Sequence, residues 1–90
     1  MTETQATISA WAEATFGPVG SNLSVAIRAN EEMAELLAKL ATDDDHADAV
    51  EEAADIVIVL SRLVHRCGGA LQAAVAAKMA TNRARVWRLD

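Results

Sequence analysis

Gly17-Pro18, Asp43-Asp44-Asp45 and Gly68-Gly69 cut a 90-residue chain into stretches of helix-forming residues, and the sequence's single proline lies in the first cut. Proline removes a backbone donor and glycine ends helices at little steric cost, so these cuts separate short rods. Between them run Ala, Glu and Leu, with no Val/Ile/Tyr alternation of the kind that builds a half-buried sheet. The pattern predicts an all-α fold, a bundle of about four helices forming one domain over residues 1–90.

A short first helix carries Ile8, Trp11, Ala12 and Thr15-Phe16 at helical spacing. Ser21 or Asn22 is placed to cap a second helix ending near Ala41, because either side chain can accept from a free first-turn N–H. The acidic run reads as a solvated loop whose last member, Asp45, is placed to cap a third helix from His46 to Arg66. A fourth runs over Ala70 to Arg83, before a tail ending Trp87-Arg88-Leu89-Asp90.

Hydrophobic residues make up 52% of the chain but aromatics only 3%, so one copy has little with which to fill a core, and oligomerisation is expected. A net charge of −5 argues against a partner with a phosphate backbone. The lone Cys67 has no partner for an internal disulfide, and the first residues lack a basic start followed by an apolar stretch, so a reducing, cytoplasmic setting is expected. The apolar run Ile56–Leu60 falls far short of the ~20 residues that cross a bilayer, so no membrane partner is expected.

At ~100° per residue, Glu32 and Glu35 lie about 60° apart and one turn apart along the second helix, so both carboxylates reach toward one point. Arg28, Glu31 and Lys39 share that sector, while Val25, Ala29, Met33, Leu36, Leu37 and Leu40 lie beside and behind it. On the third helix Asp48, Glu51, Glu52 and Asp55 form a second acidic face, and Glu52 and Asp55 repeat the same offset. Such faces are ordinarily just solvated. Here like charges sit one turn apart, and Asp55 leads into Ile56-Val57-Ile58-Val59-Leu60, which is apolar around the whole helix and therefore expected to be buried. A carboxylate at a buried edge is costly unless something pairs with it.

If the two helices run antiparallel, the carboxylate pairs face one another, and divalent cations would cancel their repulsion. Oxygen donors without a Cys/His set point to Mg²⁺, with Mn²⁺ as a substitute, rather than zinc. A redox di-iron site would want Glu-x-x-His, which neither Glu32-Met33-Ala34-Glu35 nor Glu52-Ala53-Ala54-Asp55 supplies. Too few protein ligands to close a coordination shell leave positions for water and substrate oxygens, which suits phosphate chemistry.

Glu31-Glu32-Met33-Ala34-Glu35 followed by Glu52-Ala53-Ala54-Asp55 resembles the EExxE and ExxD signature of MazG-like nucleoside triphosphate pyrophosphohydrolases. Lys78-Met79-Ala80-Thr81-Asn82-Arg83-Ala84-Arg85-Val86-Trp87 is similar to the same family's C-terminal KxxxNxxRxW run, so the likeness covers most of residues 8–87. It implies a MazG-like helical bundle, completed as a homodimer or homotetramer, that hydrolyses a (d)NTP to the monophosphate and pyrophosphate with Mg²⁺. By motif, Glu32, Glu35, Glu52 and Asp55 would be the metal ligands. Glu31 would join Glu32 and Glu35 in the catalytic carboxylate set, as the extra family carboxylate that holds a further ion or helps activate water. Lys78, Asn82 and Arg85 match positions that contact the triphosphate. The short phage MazZ branch, which favours dGTP and would work in a host cytoplasm, is similar in being single-domain, but no motif here singles it out. The chain lacks Tyr and the aromatic positions that many relatives carry after the second acidic motif, leaving base recognition unassigned.

The implied chemistry is coherent. Water attack on the α-phosphorus builds negative charge on the attacking and leaving oxygens, which paired cations stabilise while lowering the water's pKa. Lys78, Asn82 and Arg85 recur at offsets of four and three, so one helix face could offer two cations and an amide to a polyphosphate; as ordinary residues they would meet the helix dipole at a solvated end. Trp11 is a candidate for stacking on a base, with closing a thin core near Phe16 as its plainer use. Asn22 and Asn30 are explained by capping and exposure, His46 and His65 lie outside the acidic pairs, and Cys67 reads as a small buried or half-buried filler. Two rivals share these features: a non-enzymatic helical interaction module with surface carboxylates, and a related dUTPase or phosphoribosyl-ATP pyrophosphohydrolase with the same acids and a different reader.

Overall fold

A computed structural model describes residues 2–42 and 46–87, with the side chain of His46 left aside. It contains helices α1 (Gln5–Phe16), α2 (Asn22–Thr42), α3 (His46–Arg66) and α4 (Leu71–Ala84), and no strand among the described residues. The all-α expectation holds. Asp43–Asp45, including the expected cap of α3, and Arg88–Asp90 of the tail lie outside the described residues.

Local chemistry sets the helix ends. Thr4 caps α1 through a reciprocal box: its Oγ1 accepts from Thr7 N–H at 3.1 Å, and Thr7 Oγ1 accepts from Thr4 N–H at 2.8 Å. Ser21, rather than Asn22, caps α2 by accepting from Ser24 N–H at 3.1 Å. After α3, Gly69 N–H donates to Val64 O and Gly68 N–H to His65 O, the paired bonds of a Schellman turn, with Gly68 at φ 77° where a side chain would be strained. No side chain of its own caps α4. Instead Gln5, at the start of α1, accepts from Leu71 N–H at 2.6 Å and donates to Gly69 O at 2.7 Å, tying the two helix starts together.

Helix α3 is the spine, packed most extensively against α2, next against α1 and least against α4. The register of α2 on α3 is antiparallel: Lys39 pairs with Glu52, and further along Asn22 accepts from Arg66 Nε at 2.8 Å. That register turns the two acidic faces toward each other.

The core is thin. Ala12 and Val25 are its buried apolar residues among those described, while Met33, Leu37 and Leu40 of the expected α2 stripe are exposed. The Ile56–Leu60 run is half-buried rather than sealed, and Val57 lies largely in solvent, because only α1 and α2 cover α3 closely. The chain exposes 6739 Å². A compact monomer of 9.5 kDa would expose about 5,000 Å². Among the described residues no helix is long and apolar enough to cross a membrane.

Candidate metal centre and its adjoining cavity

Glu32 of α2 and Glu52 and Asp55 of α3 each place a carboxylate oxygen within 4.8 Å of the other two. Oxygens on one Mg²⁺ stand at most roughly 4.2 Å apart, given ligand distances of about 2.0–2.1 Å, so the three carboxylates would draw together slightly around a single ion. Burial divides the three: Glu32 is 6% and Glu52 8% exposed, whereas Asp55 opens to solvent.

Two basic residues of α2 hold the buried acids. Arg28 Nη2 lies 2.6 Å from Glu32 Oε1 while its Nη1 donates to Glu31 Oε2 at 3.0 Å, and Lys39 Nζ donates to Glu52 Oε1 at 2.6 Å. The hydrogen bond to Glu31 raises the Arg28 pKa, and the bond to Glu52 raises that of Lys39, so both stay fully charged. Burial pushes the Glu32 carboxyl above the usual glutamate range; Arg28 opposes this, and the negative charges of Glu35 and Asp55 add to it. Glu52 Oε2 is sealed from solvent and accepts no hydrogen bond among the described residues. An ionised oxygen left in that condition is expensive, and a bound cation is the direct remedy.

The expected ligand set is therefore brought together in part. Glu32, Glu52 and Asp55 converge, while Glu35 is exposed and stands beside Glu32, and Glu31 is turned to Arg28. The donor set fits a hard divalent ion, being all carboxylate with no His or Cys in the cluster.

Next to Glu32 and Asp55 a cavity of about 440 Å³ opens between α1, α2 and α3. Its walls include Trp11, Phe16, Val19, Ile58 and Val59, with Arg28 and Arg62 as its basic residues. Trp11 and Phe16 meet edge to face, their ring centroids 5.4 Å apart. Trp11 thus meets Phe16, but at 53% exposed it does not close the core as its plainer reading expects; it forms part of the cavity wall.

Lys78 and Asn82 line a separate shallow groove on α4 with Ala74, Val75 and Met79, and the Arg85 guanidinium sits 4.2 Å over the Trp87 ring. These three residues make no hydrogen bond or ion pair with the carboxylates among the described residues.

Arg62 was not among the candidate site residues. It is 7% exposed and joins α3 to α1 by hydrogen bonds to Glu13 and to the Gly17 carbonyl. The sequence does carry a signal for it: a basic residue seven positions after Asp55 falls on the same helix face, two turns along, with Arg66 one turn beyond it. Cys67 is exposed rather than a buried filler, with Asn22 Nδ2 3.6 Å from its sulfur, because the glycine turn carries it outside the packing of α3. His65 faces Gln5 Nε2 across 3.2 Å, away from the acids.

Comparison with family models, curated proteins and solved structures gives no match to this chain.

Proposed function

We propose that the protein is a Mg²⁺-dependent nucleotide pyrophosphohydrolase that converts a (d)NTP to the (d)NMP and pyrophosphate. The observation that carries the reading is Glu52 Oε2, a buried carboxylate oxygen with no partner, set within a three-carboxylate cluster at the edge of a ring-lined cavity. The resemblance of the Glu31–Glu35, Glu52–Asp55 and Lys78–Trp87 motifs to MazG-like enzymes points the same way, with the short phage MazZ branch and its dGTP preference as one form of it.

Glu32, Glu52 and Asp55 would hold the cation, with Glu35 close enough to join them and Glu31 beside Arg28 at the rim. A bound Mg²⁺, or Mn²⁺ in its place, supplies charge for the phosphate oxygens and lowers the pKa of water. Arg28 and Lys39 neutralise Glu32 and Glu52 in the ion-free protein. Relieved of that task, the two side chains reach from the rim toward anionic oxygens. Trp11 and Phe16 give the nucleoside an apolar face to lie against. Lys78, Asn82 and Arg85 are proposed to contact the triphosphate of a neighbouring copy in a homodimer or homotetramer. The thin core and the exposed Ile27, Leu37, Val75 and Met79 support such an assembly. The same apolar surface is what a non-enzymatic interaction module would present; that alternative leaves the buried, unpartnered Glu52 oxygen without a purpose.

The test is product analysis. The protein is incubated with each canonical dNTP and NTP plus Mg²⁺ and the products are separated. Monophosphate with pyrophosphate is expected; diphosphate with phosphate, or no turnover of any nucleotide, contradicts the reading.

A further inference from the structure

The cavity beside the carboxylates is lined by a buried arginine, Arg62, which is held by Glu13 and Gly17 rather than by the clustered acids. A guanidinium carries five N–H donors in a fixed plane and no acceptor. Arg62 Nε donates to Glu13 Oε1 at 3.3 Å, and Nη2 donates to the same oxygen at 3.0 Å and to the Gly17 carbonyl at 2.9 Å. Those bonds engage the Nε donor and both donors of Nη2 and lock the plane. Nη1 donates to nothing among the described residues, and it is not one of the buried atoms sealed without a partner. Arg62 lines the same cavity as Trp11 and Phe16. Ring surfaces and an oriented pair of N–H donors together suit a flat heterocycle with a strong acceptor on its edge.

We propose that Arg62 reads the exocyclic oxo group of the base, so that the protein selects 6-oxopurine and 4-oxopyrimidine nucleotides over their amino counterparts. The inference rests on the nucleotide reading above and deepens it. An amino group in that position presents hydrogens to a donor and leaves a desolvated N–H unpaired, which is the stronger form of discrimination. Because Glu13 and Gly17 hold the guanidinium before any ligand arrives, the selection costs no ordering of the arginine side chain.

The test changes the ligand rather than the fold. The α,β-methylene triphosphates of inosine and adenosine, and of uridine and cytidine, are titrated calorimetrically into the full 90-residue protein with Mg²⁺. The oxo member of each pair is expected to bind about tenfold more tightly. Equal or reversed affinities within the pairs overturn the role of Arg62 while leaving the nucleotide reading standing; no Mg²⁺-dependent binding by any of the four overturns both. Arg62→Lys keeps a charge facing Glu13 but loses the fork, and is expected to remove the preference without changing Mn²⁺ affinity. Should that variant fail to fold, the ligand pairs on the unaltered protein still decide the matter.

Discussion

Lys39 Nζ donates to one oxygen of the Glu52 carboxylate at 2.6 Å, and the other oxygen of that carboxylate is buried without a partner. One acid thus has a cation on one oxygen and an unmet acceptor on the other. Lys39 is half-exposed, so solvent weakens its hold on Glu52. Its positive charge nevertheless opposes a divalent ion arriving beside it. Lys39→Gln is expected to tighten Mn²⁺ binding by roughly two- to tenfold while lowering the melting temperature of the ion-free protein slightly. Calorimetric titration and thermal melting read the two effects; weaker Mn²⁺ binding would mean that Lys39 supports the ion instead.

Asp55 is the exposed member of the cluster, so replacing it disturbs little packing. Asp55→Asn is expected to reduce turnover by ~100-fold or more, the scale on which metal sites respond to altered ligation, with the helical circular dichroism unchanged. Glu35→Gln is expected to behave alike. Full activity in either variant rules out the assigned role.

The raised pKa of Glu32 has a definite sign in stability. An acid that binds its proton more tightly when folded contributes most below its ordinary value, here 4.5, and loses that contribution as pH rises through the folded value. In chelator, the melting temperature of the wild type is therefore expected to fall relative to Glu32→Gln across that interval. Saturating Mg²⁺ should reverse the difference at neutral pH, since only the wild type has the ligand to gain from the ion. Parallel pH profiles with and without Mg²⁺ contradict this.

Met33, Leu37 and Leu40 lie along α2 at helical spacing and are all exposed. A surface of that kind is expected to be covered by a second copy, giving a mass by light scattering of at least twice 9.5 kDa. Leu37→Glu is expected to lower that mass. A wild type that stays monomeric at high micromolar concentration contradicts the assembly.

The helices were legible because their punctuation is local. Gly68 ends α3 through its own backbone, and the predicted span His46–Arg66 of α3 is the observed one. The facing of Glu32 toward Glu52 and Asp55 followed from a three-residue offset on each helix and a short connection. What stayed hidden depends on contacts between distant segments. Arg62 is explained only by Glu13 and Gly17 across the bundle, and Gln5 caps a helix that starts at Leu71. The burial expected of Ile56–Leu60 assumed neighbours on every side, whereas α4 covers α3 only lightly and leaves Val57 in solvent.

Crystals grown with Mn²⁺ and measured at the manganese absorption edge give the most direct reading. An anomalous peak is expected between Glu32, Glu52 and Asp55, with Lys39 withdrawn from Glu52 Oε1. Manganese bound elsewhere, or the three acids still paired with Arg28 and Lys39 and no ion among them at millimolar Mn²⁺, contradicts the proposal that these helices share a divalent cation.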